Sequence, residues 1–195
     1  MNFTISLIII NVIIYFILES TGSTLDASHM LEYGALYPVN ITEKGEYWRF
    51  FTATLMHFGF DHLLNNMVML GVAGRFLERA IGEIKFLILY FTAGVGGCVL
   101  SYMEMIQSGN YAIAAGASGS IFGIIGGLAW IILVHKGRYK SLTGRGMIML
   151  LLFSLYFGAS TGDVDNWGHI GGLLMGFFLG IIFYRRNTKE IDFSE

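Results

Sequence analysis

Six long apolar stretches dominate this sequence: roughly 3–18, 51–73, 86–105, 114–134, 146–160 and 167–184. A chain with that pattern has few options. A membrane-crossing helix needs about 20 apolar residues, within a range of ~17–25. In lipid every backbone polar group must be satisfied internally, so repeated apolar stretches of this length imply a helix bundle. Hydrophobic residues make up 54% of the chain and charged residues 13%, against about 25% charged in a soluble domain. The 26 glycines suit membrane helices whose backbones approach closely. The expected fold is therefore all-α: a polytopic membrane protein with six transmembrane helices.

The first stretch is expected to be a retained helix and not a signal peptide, because it lacks a basic n-region and has no obvious small-residue cleavage site before the polar segment. Charge distribution sets the orientation. With the N-terminus inside, the cytoplasmic side holds Arg75, Arg79, Lys85, Lys136, Arg138, Lys140, Arg145, Arg185, Arg186 and Lys189. That is all but two of the 12 Lys and Arg residues. Only Lys44 and Arg49 fall outside, so both termini are expected to be cytoplasmic. A formal net charge of −2 with no basic tail gives no sign of nucleic-acid binding. The single cysteine, Cys98, cannot form an internal disulfide. The longest connection, 19–50, is an outer loop of the length that often carries function. It ends in Tyr47-Trp48-Arg49, an aromatic–basic group suited to the membrane interface.

Polar and ionisable residues inside a membrane are costly and default to function, and here they cluster. The second stretch carries His57, Asp61, His62, Asn65 and Asn66. The fourth contains Gly116-Ala117-Ser118-Gly119, and the sixth carries His169. Depth links them. From Gly119 to Val134 a helix rises roughly 24 Å at 1.5 Å per residue, less than the ~30 Å hydrocarbon core. The fourth helix thus starts below the outer surface, with Ser118 at its sunken N-terminus and irregular backbone leading to it. From His169 to Arg185 is again roughly 24 Å, so Ser118 and His169 fall at matching depth in a cavity open to the outer face.

A serine hydroxyl needs an adjacent base to become a nucleophile, and histidine is the natural one. Asp163 and Asp165 lie in the outer loop rather than behind His169, so a Ser–His dyad is expected instead of a triad. His62 and Asn66, four apart, share a helix face. Both donate hydrogen bonds and, with the Ser118 amide, suit an oxyanion. His57, about 140° around the helix from His62 at ~100° per residue, is expected to face elsewhere and support a loop.

Taken together these residues resemble the rhomboid family of intramembrane serine proteases. Gly116-Ala-Ser118-Gly119 resembles its GxSG motif, and His57-Phe-Gly-Phe-Asp-His62-Leu-Leu-Asn-Asn66 its HxxxxHxxxN pattern. His169-Ile-Gly-Gly172-Leu-Leu-Met-Gly176 is similar to its sixth-helix HxxGxxxG. Trp48-Arg49 is similar to its first-loop WR pair, and Gly74-Arg-Phe-Leu-Glu78-Arg-Ala-Ile-Gly82 to its GxxxExxxG. The resemblance runs from Trp48 to Tyr184. It implies Ser118 as nucleophile, His169 as general base and acid, and oxyanion donors at His62, Asn66 and the Ser118 amide. Supporting roles fall to Gly116, Gly119 and His57, and to Phe122 against the His169 ring. It implies single-span membrane proteins as substrates, cut in or near the bilayer, with no metal and no cofactor. The expected domain is a minimal six-helix unit over 1–186 with a short cytoplasmic tail at 187–195. The plasma membrane is the expected location. Oligomeric state is not legible.

Blander readings exist for each residue. Ser118 could be a small packing residue, His169 a core histidine bonded to a carbonyl, and His62 and Asn66 helix cross-links. Gly172 and Gly176 read as packing that draws the sixth helix to the fourth. Glu78 and Arg79 read as anchors of a cytoplasmic turn. Two rival functions remain: a non-catalytic rhomboid-like protein that binds transmembrane helices, and a small transporter. Intact Ser118 and His169 argue against the first. No internal repeat and no buried carboxylate pair support the second.

Overall fold

The computed structural model describes residues 2–160 and 165–186. Asp163 and the tail 187–195 lie outside them. Helix α1 (Phe3–Thr21) is followed by two short helices in the first long loop, α2 (Ala27–Tyr33) and α3 (Pro38–Lys44). Their punctuation is local: Asp26 caps α2 through the Ser28 amide, and Pro38 opens α3 while Gly45 closes it in a left-handed conformation. A one-turn helix α4 (Arg49–Thr52) and a 3-10 turn (Ala53–Leu55) precede α5 (Gly59–Met69). A π-helical segment, Leu70–Gly74, joins α5 to α6 (Arg75–Ile81). The remaining helices are α7 (Glu83–Ser108), α8 (Ser118–Val134), α9 (Gly144–Ser160) and α10 (Asn166–Phe183). A two-stranded hairpin, Arg138–Tyr139 with Leu142–Thr143, links α8 to α9.

Three helices, α1, α7 and α10, are long and apolar enough to cross a membrane. Shorter apolar helices are α8 and, among the described residues, Gly144–Ser154 of α9. The second stretch differs most from expectation. Residues 51–58 form short turns, and the continuous helical rod begins only at Gly59, whose φ of +73° is a break that favours glycine.

The largest apolar cluster of the core surrounds α8, and two smaller ones lie under the first long loop. Ile121, Ile124, Leu128 and Ile131 pack against Leu70, Leu77, Phe86, Leu89 and Tyr90, all at most 1% exposed. Many isoleucines, phenylalanines and leucines on the outer faces of α1, α7, α9 and α10 are exposed instead. Such an outward apolar surface suits lipid contact. Helices α8 and α10 meet backbone to backbone. A methyl at Gly172 would collide with the Gly119 carbonyl, and one at Gly176 with the Gly123 carbonyl. At the start of α1, Glu78 is buried and accepts from the Phe3 and Thr4 amides at 2.7 and 3.1 Å and from the Thr4 hydroxyl at 2.6 Å. Its partner is thus the positive end of α1 rather than a turn beside it.

Candidate active site

The site is assembled where α8 begins. The segment before it is irregular, and its backbone is pinned to other parts of the chain. Ala114 and Leu36 exchange two hydrogen bonds at 2.8 and 2.9 Å, and the Gly116 amide donates to the Ala53 carbonyl at 2.9 Å. The first long loop therefore supports the approach to Ser118. That loop is itself held by Arg49, which is 4% exposed. Its Nη1 donates to the carbonyls of Leu31 and Ala35 at 2.7 and 2.8 Å, and its Nε to Glu46 at 2.6 Å. Asn40, then Arg49, hold the Glu46 carboxyl below its ordinary value.

Ser118 is the first residue of α8 and is half-buried. Phe122 lies one turn on, on the same face. The buried His169 ring stacks on Phe122 with centroids 4.1 Å apart and planes within 8°. This stack brings the α10 histidine to the face of α8 that carries Ser118. No hydrogen bond joins Ser118 to His169 among the described residues, and His169 Nδ1 has no partner. Asp165, the acid nearest to His169 in the described chain, caps α10 by accepting from the Gly168 amide at 2.8 Å. Among the described residues, His169 thus has no carboxylate orienting its ring.

His62 enters from α5. A Cβ at Gly116 would lie 2.9 Å from His62 Cε1 and 3.1 Å from Nε2. Gly116 also has φ +154°. Both facts require glycine there, and the missing side chain lets His62 reach the turn before Ser118. Asn66, one turn along α5, is buried, and its Nδ2 donates to the His62 carbonyl at 3.1 Å. An amide nitrogen carries two hydrogens, so one donor remains. His57 departs from the helical-face argument, because it precedes α5 and is not on it. Its ring is fully buried, sits 5.3 Å from the His62 ring, and accepts from the Ala117 amide at 3.4 Å. It braces the residue before Ser118 directly. Gly119 lies close to the Gly168 and Gly94 carbonyls, between α10 and α7.

Sequence reasoning missed Ser120 and Gly94. The Ser120 hydroxyl is buried against Gly94 of α7, where a Cβ would collide with it. A small residue facing a small residue across two helices leaves no signal in one sequence. It also missed the tie from Gly116 to Ala53, which is purely backbone. Among the described residues no group of three His, Cys, Asp or Glu side chains is arranged to hold a metal ion.

The arrangement offers a hydroxyl at a helix N-terminus, a histidine on the adjoining helix, and two further donors from α5. That set can support acyl transfer. A family model described as the rhomboid domain matches residues 44–186. Similar proteins include the rhomboid protease GluP of Bacillus subtilis, 34% identical over 91% of this chain and 34% of its own length. Rhomboid-like protease 1 of Toxoplasma gondii is 32% identical over 85% of this chain and 57% of its own. RHOMBOID-like protein 4 of Arabidopsis thaliana is 34% identical over 78% and 38%. The chain spans between about a third and about three fifths of the length of these relatives.

Proposed function

The chain belongs to the rhomboid family, and from that premise we propose that it is an intramembrane serine endopeptidase working through Ser118 and His169. The observation that carries this reading is the stack of His169 on Phe122, one turn from Ser118. A substrate helix enters from the side and unwinds near its outer end. Ser118 attacks the scissile carbonyl as His169 takes the hydroxyl proton. The negative charge on the carbonyl oxygen is met by His62, by the second N–H of Asn66 and by the Ser118 amide. His169 then gives its proton to the leaving amine, and water from the outer face hydrolyses the acyl-enzyme. The substrates are single-span membrane proteins, and no cofactor takes part. The six stretches cross a cell membrane six times with both termini cytoplasmic, and 1–186 forms the membrane domain.

A fluorophosphonate probe tests the nucleophile. Wild type should label at Ser118, Ser118→Ala should not label, and His169→Ala should label slowly. Equal labelling of Ser118→Ala would place the reactive group elsewhere. One observation favours a second reading, in which the protein binds transmembrane helices without cutting them: Ser118 makes no hydrogen bond to His169. Catalytic hydrogen bonds are commonly loose before substrate arrives, so the protease reading is preferred. A wild type that resists the probe would favour the second.

A further inference from the structure

A cavity of about 410 Å³ lies at the end of the bundle opposite Ser118, between the start of α7 and the end of α10. Its volume falls within the ~300–1,000 Å³ of small-molecule sites. Ala80, Ile81, Ile182, Phe183 and Tyr184 line it, and most of the surface it presents is polar. Lys85 and Arg185 give it two cations, and no described lining residue is acidic. Glu78, close in sequence, is occupied by the N-terminus of α1. The Lys85 ammonium is held at the mouth by donating to the Phe183 carbonyl at 3.2 Å. That uses one of its three donors. Arg185 is exposed.

The surroundings say what kind of anion fits. The apolar run of α10 ends at Phe183, and after Tyr184 come the two arginines. This is the boundary where hydrocarbon gives way to headgroups. Toward the hydrocarbon, Ile88 of α7, three residues beyond Lys85, and Ile182 of α10, three before Arg185, remain 47% and 52% exposed. Two cations above an exposed apolar strip complement a molecule with a negative head and a hydrocarbon tail. A free anion would use the cations and leave the strip unmatched. We propose that this cavity binds the headgroup of one anionic phospholipid. Lys85 and Arg185 meet its phosphate, and an acyl chain lies along Ile88 and Ile182. Basic pockets between membrane helices are suited to this chemistry. The proposal does not depend on the proteolytic reading.

Native mass spectrometry of the full chain in mild detergent tests it, with phosphatidylglycerol or phosphatidylcholine added. Wild type should retain one phosphatidylglycerol in preference to phosphatidylcholine. Lys85→Gln with Arg185→Gln should weaken retention by about 5-fold per charge removed, while Lys140→Gln in the hairpin turn should not. Should the double variant fail to fold, Arg185→Gln alone, at an exposed side chain, carries the test. Equal retention by wild type and variants would overturn the proposal. So would displacement of the lipid by millimolar inorganic phosphate, which would make this a site for free anions.

Discussion

Replacing Gly172 by alanine should separate the two helices that carry Ser118 and His169. The added methyl would collide with the Gly119 carbonyl and sit 3.1 Å from its Cα. Carbon atoms rest at about 3.5–4.0 Å, and neither helix has a flexible side chain to yield at this point. Helices α8 and α10 must therefore part by on the order of 1 Å, at a cost of roughly 1–3 kcal/mol for an overpacked contact. Gly119 adjoins Ser118, and Gly172 lies almost one turn from His169, so the displacement falls on the proposed pair, Ser118 and His169. A misplacement of about 1 Å can cost roughly 100-fold in rate. The assay is kcat/KM on a single-span substrate together with thermal unfolding in detergent. Gly71→Ala is the control, since its methyl would meet only Ile8 Cδ1 at 3.7 Å. Gly71→Ala should keep wild-type activity and stability. If Gly172→Ala matches wild type in both measurements, the interlock of α8 with α10 does not position His169.

Phe122→Ala should lower kcat/KM by roughly 2- to 13-fold, the scale of one aromatic contact of ~0.5–1.5 kcal/mol, while Phe122→Tyr should keep most activity. Arg49→Ala removes three hydrogen bonds and should loosen the first long loop at a cost of roughly 2–3 kcal/mol, seen as faster hydrogen exchange over 30–50. Glu46 gives that loop a pH dependence. Its carboxyl titrates below its ordinary value of 4.5 because Asn40 and then Arg49 favour the charged form. Its stabilising contribution is therefore complete above pH 4.5 and is lost as pH falls through the depressed value. Trp48 fluorescence should report the loosening, since Arg49 lies over its ring at 4.7 Å, and Glu46→Gln should abolish this acid transition.

What the sequence made legible followed from counting and local chemistry. The distance from Gly119 to Val134 placed Ser118 at the start of a short helix, and α8 does begin there. The spacing of Gly172 and Gly176 pointed to close packing, and their backbones touch α8. His57 went astray because the face argument assumed one helix from His57 to Asn66. Glycine at 59 takes a left-handed φ that breaks it, and a break set by tertiary contacts does not alter the hydrophobic pattern. The partner of Glu78 was illegible for a different reason, since the α1 amides it binds are some seventy residues away. The α2 and α3 helices were readable in principle from Asp26, Gly34, Pro38 and Gly45, but their mixed faces lack an apolar period.

The central claim is that Ser118 and His169 act together to cut a peptide bond. Its most direct test is cleavage of a single-span substrate by purified protein in liposomes, with wild type, Ser118→Ala and His169→Ala side by side. The account predicts that wild type cuts and neither variant does. Equal cleavage by all three would contradict it, as would a wild type that cuts none of a panel of such substrates.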